Sequence, residues 1–425
     1  MDKDVSISLP YGTGSLTAGV PATNYRGTVK PPGEITAAES AVGEVERALA
    51  APVGAPPIGT QVKAGGKVAI IVSDCTRPTP SGTILGPVLA ELRAAGIAKN
   101  AITIVVACGL HAPSPPDSLR QMLGDGILAE YRVVNHLADD AANLVYVGTT
   151  SGAIPVKINR MVAEADFRIA VGGIDPHHLA GWSGGAKNVL PGVAGRETVN
   201  AHHILLRDSA TRLGAADDNP FRLQLEEAAR LAKLDFIVNV VLTPAKKIAY
   251  AVAGDVVAAH RAGVAFARER LLVPVASKVD VVITSPGGAP RDGELWQTHG
   301  KCLTRVGGIV KDGGTIIVVA ECSKGVGDDE FADWLRLDAK SLEAALAGPF
   351  SMALAKAYHL ATEAERVDIF FVSSGLVAAD LPKLPVRFFP SLPAAVEAAL
   401  AKNTDAAVVA VPDAAGVLTA LRPQV

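Results

Sequence analysis

Short, continuously apolar runs rich in Val and Ile recur along the chain between segments rich in Ala, Leu, Glu and Arg. Runs that do not alternate with polar residues suit a sheet covered by helices on both faces, so the pattern predicts α/β layers. Five candidate core strands lie at 67–74, 101–109, 143–148, 166–173 and 235–243. Most exit into Gly, Pro, Asp or Thr, at the strand ends where open α/β sheets form sites. A second set lies at 279–288, 313–322, 367–375 and 405–414. Between the sets, 256–275 reads as a helix with a proline-marked exit, which puts a domain boundary near 270–277. The expected architecture is two α/β domains with an active-site cleft between them. An N-terminal domain spans 1–272, optionally completed by the tail from 408 to 425, and a C-terminal domain at 277–407 closes the cleft. The stretch 148–166 reads as a polar loop and then a helix, and 341–365 as two helices interrupted at Gly348–Pro349. No fixed-period repeat points to a solenoid.

Composition narrows the class. With 425 residues, 49% apolar and 20% charged, the chain must bury a sizeable core and has room for two or three domains. Forty basic against 43 acidic residues, a net charge of −3, disfavour a polyanion-seeking surface, so no nucleic-acid partner is expected. The four cysteines, Cys75, Cys108, Cys302 and Cys322, form no C-x-x-C pair, which fits a reducing compartment. The first twelve residues have neither a basic nor an apolar signal region, and the apolar run at 315–320 is only strand length. A soluble cytoplasmic protein without a membrane partner is expected.

Four segments after predicted strands carry chemistry, three of them in the first half of the chain. In SDCTRPTP at 73–80, Pro78 and Pro80 stiffen the exit that presents Asp74, Thr76 and Arg77. Arg77 has the two parallel donors that clamp a carboxylate, and Asp74 can accept from a hydroxyl; a solvated surface Asp/Arg pair fits the same residues. In CGLHAPS at 108–114, His111 follows a glycine, and an imidazole there suits proton transfer; a loop histidine with no such task is equally consistent. Cys108 reads as core.

The densest segment runs from 172 to 203 and holds His177, His178, His202 and His203 around Ser183, Gly184, Gly185 and Lys187. Its S-G-G peptides can offer converging N–H groups to a phosphate, although P-loop spacing is absent. Lys187 fits a phosphate contact, a catalytic amine or an attachment point. Each histidine alone is as easily a packed side chain, but their density around glycines favours a site. His136, His260 and His359 read as packing residues, and Thr149, Thr150 and Ser151 are left without a role. In the second half, SPGGAPRDGELWQTHGKC at 285–302 offers Asp292, Trp296, Gln297, His299 and Lys301 after a glycine turn. Such a loop can close over an anion with Trp296 as an apolar wall; a packed tryptophan with solvated neighbours is the plainer alternative.

At these clusters the sequence resembles the nickel-pincer-dependent lactate racemases and the wider group of 2-hydroxy-acid racemases and epimerases. The resemblance covers nearly the whole chain. It rests on D-C-T-R-P-T-P, on G-L-H, and on H-H-L-A-G-W-S-G-G-A-K-N-V-L-P-G followed by N-A-H-H. It implies a nickel-pincer nucleotide, a pyridinium-3-thioamide-5-thiocarboxylic acid mononucleotide carrying nickel, tethered through Lys187, with His203 as the protein ligand to the metal. It makes His111 and His177 the alternating proton acceptor and donor and Arg77 the carboxylate-binding residue. Asp74, Thr76, Ser183 and Gly184 would bind the nucleotide, and Trp296, Gln297 and Lys301 the substrate. His178 and His202 have no family role and are expected mainly to pack or to support the residues around them.

The implied reaction racemises or epimerises C2 of a 2-hydroxy carboxylic acid by reversible hydride transfer through a 2-keto acid, with cofactor-maturation proteins as partners. The cofactor performs the hydride chemistry while the protein orients the acid and manages protons. Relatives place a lysine three positions after the Gln of the second-domain loop; here that position is Gly300, with Lys301 one residue later. Ala112 follows His111 where many relatives carry a larger polar residue. Both departures point to a different or bulkier acid than lactate. A sugar-acid epimerase using the same cofactor, or a non-catalytic protein that binds or carries it, are the alternatives.

Overall fold

The computed structural model describes residues 3–348 and 351–421. The chain folds as two compact units, one spanning Glu34–Glu269 and the other formed by the chain on either side of it.

The Glu34–Glu269 unit is built on a six-stranded sheet in the order Ile248–Gly254, Phe236–Leu242, Phe167–Gly173, Val68–Ser73, Ile102–Ala107 and Arg132–Asn135. All neighbours are parallel except the Ile248–Gly254 edge strand. Ile71 pairs with both Val105 and Ala170, so three central strands run level and end together. Val68, Ile70 and Val72 bury one face against Ile84, Leu85, Val88 and Leu92 of the Ser81–Ala94 helix and against Val45 and Leu49 of the Ala41–Ala50 helix. Covering both faces of such strands explains their unbroken apolar runs.

The second unit carries a parallel six-stranded sheet in the order Val386–Phe388, Asp368–Val372, Val310–Val319, Val279–Thr284, Val408–Val411 and Tyr25–Thr28. A hairpin of Val5–Tyr11 and Gly14–Val20 packs Ile7, Leu9, Ala18 and Val20 against Ile283, Ile317, Phe370 and Leu392. All four strands of the second predicted set lie in this sheet. The two α/β domains expected from the pattern are present. Among the described residues no helix is long and apolar enough to cross a membrane.

Three expectations are corrected. The run at 143–148 is not a core strand: Leu144–Thr149 forms a two-stranded hairpin with Pro155–Asn159, and Tyr146 is 57% exposed. Its place in the sheet is taken by Arg132–Asn135, while Ile248–Gly254 supplies the opposite edge. The residues before Glu34 belong to the second unit, because Tyr25–Thr28 hydrogen-bonds alongside Val408–Val411. For the same reason the tail completes the second sheet and not the first: Val408–Val411 sits between Val279–Thr284 and Tyr25–Thr28. Residues 422–425 of that tail, and Pro349, lie outside the described residues.

Candidate active site

Three level, adjacent parallel strands each end in one of the predicted chemical segments. Val68–Ser73 leads to Asp74 and Arg77, Ile102–Ala107 to His111, and Phe167–Gly173 to the loop holding His177 and Lys187. Carboxyl ends of neighbouring strands are where an open α/β sheet gathers a site.

At the first exit, Asp74 is buried and anchors the others. Its Oδ1 accepts from the Thr76 hydroxyl at 2.7 Å and the Thr76 N–H at 3.2 Å. His111 Nδ1 lies 2.6 Å from Asp74 Oδ2. Burial pushes the Asp74 carboxyl up, but the bonds from His111 and Thr76, with the charges of His111 and Arg77, outweigh it and hold the group below its ordinary range. An ionised Asp74 can only accept, so His111 donates through Nδ1, and in the neutral ring the lone pair is then on Nε2. Thr76, Arg77 and His111 are exposed.

The third exit makes a tight hairpin in which His177 pairs with Gly181. Gly181 has φ +70°, and a Cβ there would meet Ala215 O at 1.6 Å, so only glycine fits. The hairpin points the N–H groups of Leu179 and Ala180 at His177 Nδ1, 3.2 and 3.1 Å away. Nδ1 is therefore an acceptor, and the proton of the neutral ring sits on Nε2. That nitrogen lies 3.3 Å from Lys187 Nζ. With the ring proton on Nε2, the Lys187 amine must accept, which requires an unprotonated amine. The surroundings agree: burial first, then the Arg77 and Arg222 charges, lower Lys187 well below the usual lysine range. Burial first, with the Arg77 and Arg222 charges behind it, likewise lowers His177. The fields of Arg77 on both groups place the first and third exits in one electrostatic cluster.

Lys187 is carried by a short turn of helix, Gly185–Asn188. Asn188 bolts it to the sheet by donating to Val171 O at 2.8 Å and Ile71 O at 3.3 Å, and Asn239 Oδ1 accepts from Gly185 N–H at 2.7 Å. Gly184, at φ +76°, would bring a Cβ within 2.7 Å of Asn239 Oδ1. The Ser183 hydroxyl donates to Gly173 O at 2.7 Å and accepts from Asp175 N–H at 2.8 Å, so its bonds close the loop itself. Arg222 is fully buried and donates to the carbonyls of Ala180, Trp182 and Gly184. Burial lowers its pKa to about 10. His260 Nε2 donates to Ser183 O at 2.9 Å, and His136 Nε2 to Ala194 O at 2.9 Å, the packing roles expected of both.

The second histidine pair sits at the end of the Arg196–His203 helix. His203 is buried, and its Nδ1 donates to Val199 O at 2.8 Å, which leaves the lone pair on Nε2. A backbone carbonyl fixing one ring nitrogen while the other faces a metal is the usual arrangement for a ligating histidine. His202 packs as expected, its Nε2 donating to Phe221 O at 2.9 Å and its ring 4.0 Å from the Phe221 ring. Burial drives its pKa to about 3. Among the described residues no group of three or more His, Cys, Asp and Glu is placed to hold a metal.

Trp296, Gln297 and Lys301 belong to the other unit, on the Leu295–Lys301 helix. Gln297 and Lys301 are four residues apart and share one face of that helix, so the one-residue offset seen in the sequence keeps the cation beside the amide.

Residues 11–214 match the model of the lactate racemase N-terminal domain, and 275–419 that of the lactate racemase C-terminal domain. The chain belongs to the lactate racemase family. Over 333 residues it is 37% identical to a lactate racemase of Lactiplantibacillus plantarum, covering 77% of each chain. It is 33% identical over 334 residues to one from Thermoanaerobacterium thermosaccharolyticum, covering 78% of each. The structure of the lactate racemase apoprotein from that second organism superposes with a TM-score of 0.87 at 29% identity, over 98% of this chain and 100% of that one. A Thermotoga maritima protein at 19% identity and TM-score 0.62 shares the fold, over 90% of this chain and 98% of that one. Within this lactate racemase fold, Asn188, Arg222 and Asn239 build the site yet gave no sequence signal; only Asn219, capping the Pro220–Leu231 helix, marks where Arg222 begins its helix.

Proposed function

We propose that the protein racemises or epimerises C2 of a 2-hydroxy carboxylic acid with a nickel-pincer nucleotide. The observation that carries this reading is the meeting of Lys187 Nζ with His177 Nε2 at 3.3 Å, on a loop beside the Asp74–His111 pair.

The residues fit the group. Lys187 presents an amine in the unprotonated state that covalent attachment needs. His203 has the tautomer of a metal ligand, and with no three-ligand protein cluster among the described residues, a metal here needs donors from a cofactor. Lys187 and His203 would hold the group, with Thr76, Asp74, Ser183 and Gly184 as its nucleotide contacts. When bound, it supplies a reversible acceptor for the hydride of C2.

The chain's own residues orient the acid and handle its hydroxyl proton. Arg77 offers two parallel donors to the carboxylate, and Trp296, Gln297 and Lys301 are assigned to the rest of the substrate. His111 is set as a base: Nε2 carries the lone pair, and ionised Asp74 stabilises the imidazolium that forms. His177 holds a neutral ring with its proton on the nitrogen that faces Lys187, so it acts as an acid only once a further proton has reached the ring. Inversion at one carbon uses two imidazoles, one that takes the hydroxyl proton and one that returns a proton from its imidazolium state. The acid is one other than lactate, since Ala112 leaves less bulk beside His111 than the larger polar residue of many relatives.

The test is expression of the full chain with the cofactor-making machinery, followed by peptide mass analysis, nickel quantification and chiral chromatography of lactate and longer hydroxy acids. An adduct on Lys187 with inversion of at least one acid is expected. A nickel-loaded protein modified elsewhere, or one that inverts none of the acids, would overturn the reading.

A further inference from the structure

Lys356 lies on the Met352–Arg366 helix, in the same unit as Trp296. Its ammonium donates to Trp296 O at 2.9 Å and also lies 3.4 Å from the centroid of the Trp296 indole. One side chain thus grips both the backbone and the ring of a single residue. The opposite constraint comes from Phe331, whose buried ring meets the indole edge-on at 5.4 Å. A cation over an indole face and an aromatic edge against it are both directional, so together they select one rotamer. The carbonyl bond adds a fixed point in the first turn of the helix that carries Gln297 and Lys301.

We propose that Lys356 is a positioning residue for substrate recognition, holding the Trp296 indole and the helix of Gln297 and Lys301 in one arrangement. The inference rests on the reading above, in which these three residues contact the acid. Burial lowers Lys356 to about 7, while Asp328 and Glu294 favour its charge and Lys301 opposes it. The grip on Trp296 therefore tightens as pH falls through neutrality and slackens above it.

Two measurements on the full chain separate the parts of this proposal. The first needs no cofactor: tryptophan emission is followed from acid to alkaline pH, with Trp296→Phe subtracted to remove Trp182 and Trp334. Wild type is expected to titrate near neutrality, Lys356→Met to lose that titration, and Lys356→Arg to hold the acid-side signal throughout. A wild-type-like titration in Lys356→Met, or none in wild type, overturns the contact. The second uses loaded enzyme and whichever acid it inverts. Lys356→Met should raise KM by about fivefold with little change in kcat, and Lys356→Arg should restore it. An unchanged KM beside a lost emission titration overturns the recognition role while leaving the contact standing. An enzyme that inverts no acid sinks the functional reading, and the emission result still decides the Lys356–Trp296 contact.

Discussion

His111 Nδ1 donates to Asp74 Oδ2 at 2.6 Å, joining the ends of two neighbouring parallel strands through one buried carboxylate. The bond fixes which imidazole nitrogen is basic. Asp74→Asn keeps the shape but lets an amide N–H face Nδ1, which favours the tautomer with its proton on Nε2. Turnover should fall roughly 100- to 10,000-fold, the range seen when an orienting carboxylate or general base is lost. Steady-state inversion kinetics on the loaded variant check this, and the Lys187 adduct should persist.

Asp74 also predicts an acid-sensitive fold. Its folded pKa lies below the ordinary value of 3.8, so its stabilisation is complete above that value and fades as pH drops through the lower folded one. The difference in Tm between wild type and Asp74→Asn should therefore be constant above about pH 5 and shrink below pH 4. A difference that grows toward acid would show that the carboxyl is raised instead.

His111→Gln and His177→Gln should each cut inversion by about 100-fold or more without preventing modification of Lys187. Peptide mass analysis and chiral product analysis on the same samples check the two halves together. Full activity in both variants would remove their proton-transfer roles.

Much of this site was legible before any fold was known, because strand exits announce themselves: an apolar run ending in Asp74, in Gly109 and His111, or in Gly173 and His177 marks a polar edge on a buried sheet. The same rule misplaced 143–148, since a short apolar run looks alike in a core strand and in a hairpin whose Tyr146 faces solvent. Pairings between distant segments left no local trace. Tyr25–Thr28 finds its partner at Val408–Val411, nearly the whole chain away. Asn188 and Arg222 were illegible for the same reason: their partners, Ile71 O and the carbonyls of 180–184, lie 117 and about 40 residues away, and nothing in an Asn or Arg tells which carbonyl it will meet.

Lys187 costs the unmodified chain stability. A basic group whose folded pKa is lowered opposes folding wherever the unfolded chain is protonated, and the cost disappears as pH rises above the ordinary lysine value of 10.5. Lys187→Met should raise the Tm of cofactor-free protein at pH 7 by about 2 °C or more and abolish both the adduct and bound nickel. Calorimetry at pH 7 and metal analysis after co-expression check the two outcomes.

Arg222 is the residue on which the Lys187 loop depends without touching the chemistry. Its guanidinium reaches Ala180 O, Trp182 O and Gly184 O, and the chain between them contains the hairpin that fixes the His177 tautomer. Arg222→Leu fills part of the space but leaves three buried carbonyls short of a donor, at a cost of about 3 kcal/mol. The loss should not be confined to stability. Once the 180–184 carbonyls are released, the N–H groups of Leu179 and Ala180 lose their aim at His177 Nδ1, the ring proton is no longer held on Nε2, and the Lys187 amine loses its donor. Urea unfolding should show the lower stability, and co-expression with the maturation machinery should give a smaller fraction of chains modified at Lys187. Lower stability with undiminished modification would mean that Arg222 supports the fold alone, and that His177 keeps its tautomer without it.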